Sequence, residues 1–92
     1  MIKKFIEKLL VDEQKRFNDI RVYIDNSRIE LSFINDKYKN DFEKDDFEAF
    51  KMDLDRMGAI ADDIDEYLVD LRNSKKRIDT YRKLLGLGKE KD

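Results

Sequence analysis

The residues best placed to do chemistry lie in the second half of the chain. Asp62-Asp63-Ile64-Asp65-Glu66 gathers carboxylates, and on a helix Asp62 and Glu66 stand one turn apart, with Asp55 two turns before Asp63. Oxygen donors clustered in this way are the type that Mg²⁺ takes. A basic stretch follows from Arg72 to Lys83. Its cations Arg72, Lys75, Lys76, Arg77, Arg82 and Lys83 could contact phosphates, and Tyr81 could stack on a base. Beyond these two stretches the inventory is narrow. The chain has no His and no Cys. It therefore lacks the commonest general base and the commonest metal ligand, and it can form neither a disulfide nor a thiolate site.

Asp62-x-x-Asp65 and the earlier Glu43-x-x-Asp46 loosely resemble the paired acidic motifs of the all-α nucleotide pyrophosphohydrolases, one of E-x-x-E type and one of E-x-x-D type. The resemblance implies Mg²⁺-dependent hydrolysis. It covers only these short stretches, the glutamates of the pattern are mostly missing, and Glu43 to Asp46 falls where a turn is expected. The sequence itself favours a solvated acidic helix face. No catalytic residue, cofactor or metal is assigned.

The elements that carry these stretches are helices. The chain has 92 residues, with 46% charged, 40% hydrophobic, no Pro and a net charge of −2. Interleaved charges of both signs with regularly spaced apolar residues suit a long amphipathic helix or a coiled coil rather than a disordered chain. With no proline, nothing forces a helix to stop early. A first helix is expected over about 2–40. Its heptad positions a are Leu10, Phe17, Ile24, Leu31 and Tyr38, and its positions d are Ile6, Glu13, Ile20, Ser27, Ile34 and Asp41. A second is expected over about 46–85, with a at Phe47, Leu54, Ala61, Leu68, Lys75 and Arg82, and d at Phe50, Met57, Ile64, Leu71, Ile78 and Leu85. The turn over about 41–46 is a normal helix–helix length, with Asp45 or Asp46 available as N-cap. Gly86 supplies the left-handed C-cap, and 86–92 form a frayed tail.

Folded back antiparallel, the two heptad rows match layer by layer. Phe17 meets Leu71, Ile20 meets Leu68, Ile24 meets Ile64, Ile34 meets Leu54, and Tyr38 meets Phe50. The exceptions match as well. Glu13 falls opposite Lys75 as an opposite-charge layer, and Ser27 falls opposite Ala61 as a small one. The expectation is an all-α antiparallel two-helix coiled-coil hairpin forming a single domain.

Two helices alone bury one stripe each, which is little core for a chain of this length. One flank, position e, is polar. The other joins position g to position c and holds Ile2, Phe5, Leu9, Tyr23, Phe33, Ile60, Tyr67, Tyr81 and Leu84, with Tyr23 beside Tyr67 and Lys37 beside Asp53. An apolar band wider than one seam points to a further partner helix, so this flank is the expected protein interface. Val22, Ile29, Met52 and Leu87 are expected as ordinary exposed residues.

The functional expectation is a non-enzymatic protein–protein interaction module, such as an adaptor, chaperone, assembly factor or small inhibitor. Its partner is a second copy, completing a four-helix bundle, or another protein. The acidic middle of the second helix and its basic end favour an antiparallel copy, in an association that weakens with salt. One alternative is a nucleic-acid-associated regulator acting through the basic end, which the overall acidity disfavours. The length of the hairpin also resembles the small helical proteins exported by type VII secretion. Their Trp-x-Gly turn is replaced here by Phe42-Glu-Lys-Asp-Asp46, and their Tyr-x-x-x-Asp/Glu signal fails at Leu85. Without an apolar run long enough to span a bilayer or a leader-like start, no membrane association is expected and a cytoplasmic location is.

Overall fold

The computed structural model describes residues 2–87 and consists of two antiparallel α-helices, α1 (Ile2–Glu43) and α2 (Phe47–Leu84). The fold is an all-α helical hairpin. Residues 88–92, most of the expected tail, lie outside the described residues.

The turn is shorter than expected because α1 runs three residues past Asn40. Two hydrogen bonds close its end: the Asp45 N–H donates to the Phe42 carbonyl at 3.1 Å, and the Asp46 N–H donates to the Asp41 carbonyl at 3.0 Å. This is a Schellman closure with Asp45 in the left-handed position, at φ 60°. Asp46 then serves α2. Its side-chain oxygen accepts from the Ala49 N–H at 3.2 Å, and its carbonyl accepts from the Phe50 N–H at 2.9 Å. One residue thus ends one helix and caps the next, which is why three residues suffice to reverse the chain. The end of α2 repeats the closure with glycine. Gly86 sits at φ 76°, the Leu87 N–H reaches the Arg82 carbonyl at 2.9 Å, and the Gly86 N–H reaches that of Lys83 at 3.0 Å.

A carboxylate residue in the left-handed region costs more than glycine there, and the charge of Asp45 lies between the negative end of α1 and the positive end of α2, so its dipole effects offset. Asp45→Gly is therefore expected to stabilise the protein by about 0.5–1 kcal/mol, read as a rise of roughly 2–8 °C in Tm. A fall in Tm would mean that the Asp45 side chain makes a contact worth more than its backbone strain.

The chain divides into two compact units. The terminal unit pairs Met1–Val22 with Val69–Asp92, described here for 2–22 and 69–87. Its buried residues are Leu10, Ile20 and Ser74. The turn unit is Tyr23–Leu68, with Ile34, Ile60, Asp41 and Asp53 buried. Three aromatic contacts hold this unit together. Tyr38 stacks on Phe50 with ring centroids 4.6 Å apart, Phe42 tilts against the same ring at 5.3 Å, and Tyr23 meets Tyr67 at 5.6 Å.

On α1 the inward rows are the expected a and d. On α2 they are d and g. Ile60, Asp53 and Ser74, all at g, are buried, while Phe47, Leu54, Ala61 and Leu68, all at a, are exposed. This corrects the expected a/d seam of α2 by about one position on the helical wheel. The reason lies in what else each row carries. Row a continues into Lys75, which stays exposed, whereas row g continues into Ser74 and Tyr81, and its buried charge, Asp53, is met by Lys37. A helix turns as one body, so rolling Lys75 outward takes Leu54 and Leu68 with it.

Candidate protein interface

Two polar clusters fix the roll of α2; the one at Glu13 departs from the sequence expectation, and the one at Lys37 follows it. In the terminal unit Glu13 is paired with Ser74 and Arg77, not with Lys75, which is exposed. The Ser74 hydroxyl donates to one Glu13 oxygen at 2.6 Å. Arg77 donates from Nε to the other at 3.0 Å and from Nη2 to the first at 3.2 Å. Ser74 is fully buried, at 0% exposure. The planar guanidinium fork matches both carboxylate oxygens in one bidentate geometry, which a compact ammonium does not offer. The Arg77 hydrogen bond is the main force holding the Glu13 carboxyl below its ordinary range, against the opposing effect of burial.

In the turn unit Lys37 joins the two helices as expected and takes on a second carboxylate. Its Nζ donates to Asp41 at 2.9 Å and to Asp53 at 3.3 Å. The two carboxyls respond in opposite ways. Lys37 lowers that of Asp41, whereas burial, followed by the neighbouring Asp41, raises that of Asp53. One Asp53 oxygen, Oδ2, is buried without a hydrogen-bond partner. Glu30 and Arg56 add an ion pair on the same side. The g side of the hairpin is thus closed by its own cross-helix contacts in both units.

That closure redistributes the expected interface. Ile60 drops to 7% exposure and belongs to the core, so it leaves the exposed flank; Leu9, Tyr67 and Tyr81 are half-buried. Ile2, Phe5, Tyr23, Phe33 and Leu84 stay exposed, and of the nine only Tyr23 and Tyr67 meet in an aromatic contact. The surface that sequence reasoning missed is row a of α2: Phe47 at 61% exposure, Leu54 at 43%, Ala61, and Leu68 at 44%. These residues recur every seven, so they form one stripe along one helix. Gly58 adjoins it, and a Cβ built there would meet nothing within 4 Å. The signal that could have revealed this stripe was its continuation into Lys75, which is exposed.

The charged stretches lie on the same helix. Asp55, Asp62, Asp63, Asp65 and Glu66 are exposed, and no group of three potential metal ligands is close enough to hold an ion among the described residues. Of the basic stretch, Arg72, Lys75, Lys76 and Lys83 are exposed, Arg82 is half-buried, and Arg77 is committed to Glu13. No helix among the described residues is long and apolar enough to cross a membrane. No protein-family model matches the chain, and no curated protein or solved structure matches it.

Proposed function

We propose that the chain is a non-enzymatic protein-binding module, a helical hairpin whose uncovered apolar stripe is closed by another protein helix. The observation that carries this reading is the imbalance of its apolar residues. Among the described residues the buried apolar side chains are Leu10, Ile20, Ile34 and Ile60, whereas Phe47, Leu54, Leu68, Phe33 and Phe5 are among the many large ones left in water. Full burial of one such side chain is worth about 1.5–3 kcal/mol, so a partner helix with a matching apolar stripe gains from every layer it covers. The heptad recurrence of Phe47, Leu54, Ala61 and Leu68 suits a helical partner, which presents its own residues at the same interval.

The test is recovery of cross-linked partners from the native cell with the full chain and with Leu54→Gln/Leu68→Gln. Helicity by circular dichroism should be nearly the same in both. Proteins captured by the natural chain and lost with the variant support the reading. Equal capture by both overturns it. Salt-sensitive retention on DNA or RNA that depends on Lys75 and Lys76 would favour the nucleic-acid alternative instead.

A further inference from the structure

We infer that the stripe of the turn unit, Phe47, Leu54, Ala61 and Leu68, receives an amphipathic helix of another protein whose apolar seam is bordered by lysines and arginines. This rests on the binding-module reading and adds the chemistry of the partner.

The whole stripe lies within Tyr23–Leu68 and on one element, α2. It runs about 30 Å along the helix, enough for three heptads of a second helix. On one side it meets row d, where Phe50, Met57 and Ile64 are half-buried. On the other side lie row e, with Lys51, Gly58 and Asp65, and row b, with Glu48, Asp55 and Asp62, all exposed. None of these five charged side chains takes part in an ion pair among the described residues. Four of the five are acidic. Lys51 stands one turn from both Glu48 and Asp55 and offsets them in part, so the uncompensated charge is that of Asp62 and Asp65, next to Ala61. The backbone of α2 is also most accessible there. Gly58 and Ala61 are exposed one turn apart, and the hairpin does not require the glycine, since a Cβ built on it would meet nothing within 4 Å. Glycine weakens a helix interior, and what it permits in return is close approach of another backbone.

The surroundings of the stripe carry the same sign. Tyr23–Leu68 holds fourteen Asp and Glu against six Lys and Arg, so a cationic helix is drawn in from beyond contact distance. Lysine and arginine stems at the border of the partner's seam cover apolar surface on their way to Asp62 and Asp65. Exposed ion pairs contribute little affinity individually, so the stripe supplies the attraction and the charges select the partner. A second copy offering the same stripe is a poor occupant. Paired antiparallel, with Phe47 on Leu68 and Leu54 on Ala61, it gains Lys51 beside Asp65 but sets Asp55 beside Asp62 and brings one acidic excess against another. Nucleic acid is repelled by the same charge.

The probe is a synthetic helical peptide of three heptads with leucine along its seam and lysine and arginine beside it. Its control carries glutamate at those basic positions. Both are titrated onto the full chain by fluorescence anisotropy. The basic peptide should bind at least about tenfold more tightly than the control at low salt, and the gap should narrow as salt is raised. Asp62→Asn/Asp65→Asn should weaken the basic peptide by about tenfold and should not weaken the control. Leu54→Gln/Leu68→Gln should abolish binding of the basic peptide. All four positions are exposed, and circular dichroism checks that each variant is folded. Equal affinity for the two peptides, failure of both, or a basic peptide indifferent to Asp62→Asn/Asp65→Asn overturns the inference. So does a chain that sediments alone at twice its 11.1 kDa mass and is held together through Leu54 and Leu68. If the basic peptide fails while proteins of the native cell are still captured through Leu54 and Leu68, only the basic character of the partner is ruled out; if that capture is also absent, the binding-module reading falls with it.

Discussion

Replacing Ile60 with alanine should destabilise the protein by about 2–4 kcal/mol, while the same change at Leu54 should cost about 1 kcal/mol or less. Both residues are large aliphatics on α2, six positions apart. They differ in which side of the helix they occupy. Ile60 is buried in the turn unit, so truncating it leaves a cavity among side chains that cannot fully collapse. Leu54 already keeps much of its surface in water, so truncation removes less burial and opens no closed space. Chemical denaturation of both variants, with unchanged m-values, would measure the difference. Equal losses would mean that the two rows share the core, and a larger loss at Leu54 would restore the a/d seam. For a chain whose total stability is on the order of 5–10 kcal/mol, the Ile60 variant should lose a large part of it.

Arg77→Ala should be the costliest change on the partly exposed surface, at about 1–3 kcal/mol. It leaves the Glu13 carboxylate nearly buried with only the Ser74 hydroxyl to satisfy it. A fully buried pair would cost more to break, but the Arg77 side chain is 42% exposed and water partly compensates. The loss has a definite pH dependence. Glu13 has a lowered carboxyl in the folded state, caused first by the Arg77 hydrogen bond. Its contribution is therefore present above its unfolded value of 4.5 and disappears as pH falls through the folded value. The natural chain and Arg77→Ala should thus differ most near neutral pH and converge in acid. Replacing the whole cluster, with Glu13→Leu, Ser74→Ala and Arg77→Leu together, should recover most of the loss, because no unpaired charge then remains at this layer. If the triple variant is as unstable as Arg77→Ala, the cluster contributes more than charge satisfaction.

Much of this fold is legible in the sequence where the determinants are local or periodic. Asp46 as N-cap and Gly86 as C-cap follow from backbone chemistry within one turn, and both are present. Tyr38 on Phe50, Tyr23 beside Tyr67 and Lys37 beside Asp53 follow from antiparallel register, which the heptad period specifies. The roll of α2 is not specified in that way. Row d has apolar neighbours on both sides, with Leu54 and Leu68 on one and Ile60 and Tyr67 on the other, and the period fits either. The choice depends on distant charged residues. Glu13 is nearly buried and is met by the Arg77 fork and the Ser74 hydroxyl, which lie toward the g side, and not by Lys75. The candidate interface shifted for the same reason: once Ile60 turned inward, Leu54, Ala61 and Leu68 turned outward.

The side of α2 that faces water can be measured directly, because the chain contains no cysteine of its own. Single cysteines at 54, 60, 61, 68 and 74 would be labelled with a maleimide at nanomolar concentration in high salt, where copies of the chain are apart. The expected result is fast modification at 54, 61 and 68 and strong protection at 60 and 74. Protection at 54 and 68 together with fast labelling at 60 would contradict the assignment of row g to the core and leave no free stripe for a partner.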